Sequence, residues 1–86
     1  MTLKCIESNY VQHLDDETVI HITTSGKNIF LNKSAGTIYD FIGNGISLTD
    51  LLKKLVSHYS IDVMSIMDDI EKTIDILISE GAVKVE

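Results

Sequence analysis

The chain has 86 residues, a net charge of −6 from 13 acidic and 7 basic side chains, and 44% hydrophobic content, which fits one small domain with an ordinary globular core. Acidity of this size argues against a nucleic-acid binder, which needs a basic face to neutralise phosphates. The lone cysteine excludes a disulfide scaffold, and no apolar run approaches the about 18 residues of a membrane span or resembles a signal region.

These features predict a cytoplasmic protein that contacts neither nucleic acid nor membrane. The chain reads as a whole gene product, a single domain over residues 1–86, with residues 1–8 as a flexible N-terminus that includes Cys5. The first expected strand is Tyr10–Leu14, and Asp15-Asp16-Glu17 follows as a turn. Thr18–Thr23 is β-branched and bounded by turn residues, the stronger strand signal. Ser25-Gly26 supplies a hairpin, because glycine tolerates positive φ, and Asn28–Asn32 returns as the third strand. Pairing Thr23 with Asn28 sets Ile22 opposite Ile29 and Ile20 opposite Leu31. Those four apolar residues then share one buried face, and His21 and Phe30 the other.

Helices follow. Asn32 or Ser34 caps the first, Ile38, Phe41 and Ile42 give its spacing, and Gly43-Asn44-Gly45 ends it. Ser47 caps the second, with Asp50 completing a capping-box-like start. Leu48, Leu51, Leu52, Leu55 and Val56 form its inner face. Asp62 caps the third, which runs to about Glu80 and stops at Gly81. Val63, Ile66, Met67, Ile70, Ile74, Leu77 and Ile78 line its apolar arc. Val83-Lys84-Val85 can add a terminal strand. The predicted fold class is α+β, a winged helix-turn-helix-like arrangement in which a three-stranded antiparallel sheet is followed by three helices.

No catalytic constellation is visible. His13, His21 and His58 lack further ligands at metal-binding spacing, although His13 and His21 fall on neighbouring strands. Cys5 has no basic neighbour beyond Lys4 and reads as an ordinary free thiol. The acidic runs Asp15–Glu17 and Asp68, Asp69, Glu71 lack the alternating oxygen ligands of a calcium loop, and Gly43-Asn44-Gly45 follows a helix, not a strand, so it is no phosphate cradle. An enzyme is not expected, nor any metal or cofactor.

Function must therefore come from a surface. On the third helix Ile76 lies about 80° outside Ile66, so Ile66, Asp69, Thr73 and Ile76 form a mixed flank beside the core stripe. The bland reading is a singly exposed isoleucine; the sharper one is the wall of a peptide groove. The third strand, Asn28–Asn32, is an edge in a one-two-three sheet and offers unpaired N–H and C=O groups to an added strand. Lys27 and Lys33 flank it.

Several segments resemble the PqqD-like family. Leu31-Asn32-Lys33-Ser34-Ala35 is similar to the opening of that family's first helix, and Asn44-Gly45 stands where the family often has Asp-Gly. Ser47-Leu48 with Leu51, Leu55 and Tyr59 is similar to its second helix, and Asp69-Ile70, Leu77 and Gly81-Ala82-Val83 to its close. The resemblance runs from about residue 10 to residue 85, with Gly36 departing from the usual helix former at a cost of about 1 kcal/mol relative to Ala. It implies a stand-alone recognition element that captures the leader segment of a ribosomally made, post-translationally modified precursor peptide by strand addition. The element then delivers the leader to a radical-SAM protein or other modifying enzyme, or to the leader peptidase and cyclase of lasso-peptide assembly.

Geometry and resemblance together nominate Asn28, Ile29, Phe30, Leu31 and Asn32 on the strand. They nominate Ile66, Asp69, Ile70, Thr73 and Ile76 on the third helix. The alternative is a winged-helix DNA-binding regulator, against which stand Asp68, Asp69, Glu71 and Asp75 on the presumptive recognition helix, with Lys72 alone opposing them. Edge strands also permit a homodimer.

Overall fold

The computed structural model of the protein describes residues 1–60 and 62–86; the side chain of Val63, expected on the apolar arc of the third helix, lies outside that description. The elements are β1 (Thr2–Cys5), β2 (Tyr10–Leu14), β3 (Glu17–His21), β4 (Asn28–Leu31), α1 (Lys33–Ile42), β5 (Ile46–Ser47), α2 (Leu48–Tyr59), α3 (Val63–Ser79) and β6 (Val83–Val85). The class is α+β and winged-helix-like, as expected, but the strands form two antiparallel sheets, β2-β3-β4 and β5-β1-β6.

The helix starts follow from their capping residues. Asn32, not Ser34, caps α1: its Oδ1 accepts from the Ala35 N–H at 2.9 Å. Ser47 Oγ accepts from the Asp50 N–H at 3.1 Å and Asp62 Oδ1 from the Met64 N–H at 3.1 Å. Gly43 closes α1 with φ 46, and its N–H reaches the Tyr39 carbonyl.

Ile20, Ile22 and Leu31 from the first sheet pack with Ile38 and Ile42 of α1, Leu51 and Leu55 of α2, and Ile70, Ile74 and Leu77 of α3. Fully burying one such side chain contributes about 1.5–3 kcal/mol. Not every member of the expected arcs reaches this core: Ile78 of α3 is exposed, and Ile29, Phe41, Leu48, Leu52, Val56, Ile66 and Met67 are only half-buried.

Three expectations are corrected. The first eight residues are not a loose terminus. β1 lies between β5 and β6, with Leu3 opposite Ile46 on one side and Val85 on the other, and Leu3 is fully buried. Cys5 belongs to this strand; its N–H donates to the Gly43 carbonyl at 2.9 Å and its Sγ–H to the Tyr39 carbonyl at 3.3 Å. The hairpin register is also shifted. Ile20 faces Ile29 and Thr18 faces Leu31, two positions from the expected partners, because the loop Thr23–Gly26 closes on an Ile22–Lys27 pair and Gly26 takes φ 74. A shift of two preserves the faces, so Ile20, Ile22 and Leu31 remain inward. Finally, Gly36 is required by a close approach. A Cβ there would lie 2.7 Å from Thr18 Oγ1, so α1 packs onto β3 where a side chain would not fit.

Candidate functional site

The open edge of β4 follows from the hydrogen-bond alternation of an antiparallel ladder. The Ile22 N–H donates to the Lys27 carbonyl at 2.8 Å. Bonded and non-bonded pairs then alternate, so Ile29 and Leu31 turn their backbone groups toward β3, while Asn28 and Phe30 turn theirs away from it. The side chains agree: across the non-bonded His21–Asn28 pair, the His21 Nδ1 and Asn28 Oδ1 atoms lie 2.7 Å apart. Among the described residues, nothing accepts from or donates to the outward amides of Asn28 and Phe30. The C-terminal strand β6 pairs with β1 in the other sheet and leaves this edge uncovered.

Beside the edge runs a groove of about 520 Å³. Phe30, Leu31 and Asn32 form one wall, and Asp69, Lys72, Thr73 and Ile76 the other. Its rims are apolar and wet at once, with Phe30 65% and Ile76 57% exposed. A second recess of about 220 Å³ adjoins the groove, sharing Ser34, Asp69 and Thr73 with it, and is lined further by Ile38, Leu55, Tyr59, Ile66 and Ile70. The α3 wall arises from helical spacing: Asp69, Thr73 and Ile76 recur at intervals of four and three and so share a face. The Thr73 hydroxyl donates to the Asp69 carbonyl at 2.9 Å.

The nominated residues are therefore divided in their placement. Phe30, Leu31, Asn32, Asp69, Thr73 and Ile76 meet in the groove, and Ile66 and Ile70 line the adjoining recess. Asn28 lines neither cavity; it brings edge backbone. Ile29 packs toward the core. Sequence reasoning missed Lys72 and Tyr59. Lys72 was legible, because it falls between Asp69 and Ile76 on the same stripe. Among the described residues it forms no ion pair.

The other singled-out groups lie apart. His13 Nε2 sits 3.2 Å from Asp40 Oδ1, on the opposite face of the sheet from His21, so the two histidines do not converge. Burial pushes the Cys5 thiol above its ordinary value and the Tyr39 phenol likewise, which holds Cys5 in the poorly nucleophilic neutral form. Among the described residues there is no cluster of three or more histidine, cysteine or acidic side chains that could hold a metal, and no helix is long and apolar enough to cross a membrane.

No protein-family model and no curated protein matches the sequence. Among solved structures, that of TbiB1 in complex with the TbiA(beta) leader peptide is similar to this chain, with a TM-score of 0.81, 16% sequence identity and coverage of 96% of both chains. At that identity the likeness establishes the fold: the chain has the winged-helix-like α+β architecture of TbiB1.

Proposed function

We propose that the protein is a leader-peptide-binding adaptor that takes up a segment of a ribosomally synthesised precursor as an added strand on β4 and delivers it to a modifying enzyme or leader peptidase. The observation that carries this reading is the unpaired backbone of Asn28 and Phe30 alongside the groove of α3. It is supported by the fold shared with a protein solved together with a leader peptide. The incoming strand exchanges hydrogen bonds with those two residues. Its inward side chains, spaced two residues apart, settle between Leu31, Thr73 and Ile76, and one bulky apolar side chain reaches the recess at Ile66 and Ile70. The winged-helix alternative would set α3 against DNA phosphates, where Asp68, Asp69, Glu71 and Asp75 would repel them.

Calorimetric titration with the leader segment of the precursor tests the proposal. Saturable one-to-one binding that Thr73→Arg weakens is expected. Absence of heat at peptide concentrations of hundreds of micromolar, with the protein folded, rejects it.

A further inference from the structure

The first sheet has a second open edge that the proposed peptide site does not use. Strand β2 (Tyr10–Leu14) pairs only with β3 among the described residues, and all of its residues are exposed. Natural edges of this kind are ordinarily blunted by lysine, proline or a bulge. The β2 sequence Tyr-Val-Gln-His-Leu contains no lysine, arginine, carboxylate or proline, and its pairing with β3 runs without interruption from Tyr10 to Leu14. It carries an apolar load as well: Tyr10 is 72% and Leu14 44% exposed. Edge β4, in contrast, is bracketed by Lys27 and Lys33.

We infer that β2 is a self-association edge whose occupant is the β2 strand of a second copy, paired antiparallel about a two-fold axis at Gln12. The argument is one of fit. In β3 the backbone groups of Thr18 and Ile20 serve β4, so those of Val19 serve β2 and meet Gln12. The outward backbone groups of β2 are therefore those of Val11 and His13. Placing Val11 opposite His13 of the second copy satisfies all of them, twice over by symmetry, as an isologous interface requires. The same register sets Tyr10 beside Leu14 of the other copy on the outer face and covers both apolar side chains. It also sends the acidic turns Asp15–Glu17 to opposite ends of the interface, so the densest negative charges do not meet. A five-residue strand pair covers less than the about 1,600 Å² of a standard interface, so the association is weak. Each copy carries a charge of −6, so salt, by screening repulsion between copies, tightens it. The resulting six-stranded sheet keeps both β4 edges at its two ends, free for peptide.

The experiment is sedimentation equilibrium of the full chain from micromolar to millimolar concentration, at low and high salt, with two substitutions at the axis. Gln12 is exposed, so Gln12→Lys and Gln12→Glu are expected to leave the thermal midpoint unchanged. Each sets like charges directly opposite across the axis. The expected result is a mass that doubles with concentration for the natural chain, more readily at high salt. Each variant alone stays monomeric, and an equal mixture of the two recovers the doubled mass. A natural chain that stays monomeric throughout overturns the inference, as does a chain whose dimer is indifferent to both substitutions. Loss of the dimer on adding leader peptide would instead assign association to β4. Failure to dimerise leaves peptide capture at β4 unaffected, so the two proposals fail separately.

Discussion

Replacing Phe30 separates an edge that receives a strand from one that is merely exposed. The Phe30 N–H points away from β3, whereas that of Ile29 is bonded to it. Proline at position 30 therefore removes no hydrogen bond from the free protein, and an edge position with a solvent-facing N–H is where a sheet tolerates proline. Phe30→Ala is the necessary reference, since it deletes the aromatic wall of the groove but keeps the N–H. Relative to that reference, Phe30→Pro loses one backbone hydrogen bond, a net of about 0.5–1.5 kcal/mol, and places a pyrrolidine ring where the incoming carbonyl would sit. Together these amount to at least about a ten-fold rise in Kd, since 1.4 kcal/mol is one decade. Calorimetry with the leader peptide gives the affinity, and thermal unfolding confirms that both variants fold. Equal affinities for Phe30→Pro and Phe30→Ala would refute strand addition at β4 even if the peptide still bound in the groove.

Three further outcomes are expected. Gly36→Ala should lower stability by about 1–2 kcal/mol through overpacking against the buried Thr18 hydroxyl, despite alanine's better helix propensity, and Thr18→Ala should recover most of the loss in a double-mutant cycle read by urea unfolding. Leu3→Ala should cost about 2–5 kcal/mol, because Leu3 is fully buried between β5 and β6; a loss below about 0.5 kcal/mol would return β1 to the status of a loose terminus. Alkaline pH should destabilise the fold. Burial raises the Cys5 and Tyr39 values above their ordinary 9.0 and 10.0, so the folded state keeps protons that the unfolded state releases. That stability is complete below about pH 9 and falls as pH rises. A thermal midpoint independent of pH on the alkaline side would contradict it, and Cys5→Ser should remove part of the slope.

What the sequence made legible was local. The caps at Asn32, Ser47 and Asp62 and the stop at Gly43 follow from nearest-neighbour chemistry, and the alternation around Ile20 and Ile22 assigned the buried face correctly. What escaped was non-local or depended on loop closure. Thr2–Cys5 contains one fully buried side chain and a charged Lys4, and becomes a strand only because residues 46 and 85, remote in sequence, pair with Leu3. The hairpin register depended on which residues closed the loop before Gly26, a choice that Ser25-Gly26 alone did not dictate. Gly36 read as a weakness in α1 until the approach of Thr18 supplied its reason. In the groove, Asp69, Thr73 and Ile76 were found from helical spacing, while Lys72, on the same stripe, and Ser34 and Ala35, at the start of α1, were not nominated.

Residue-resolved amide hydrogen exchange, with and without saturating leader peptide, probes the accepting edge most directly. The Asn28 and Phe30 amides, free of partners on the open side of β4, should exchange rapidly in the free protein and become strongly protected in the complex, while those of Val11 and His13 on β2 change little at concentrations where the chain is monomeric. Peptide binding that leaves the Asn28 and Phe30 amides unprotected would contradict capture by strand addition.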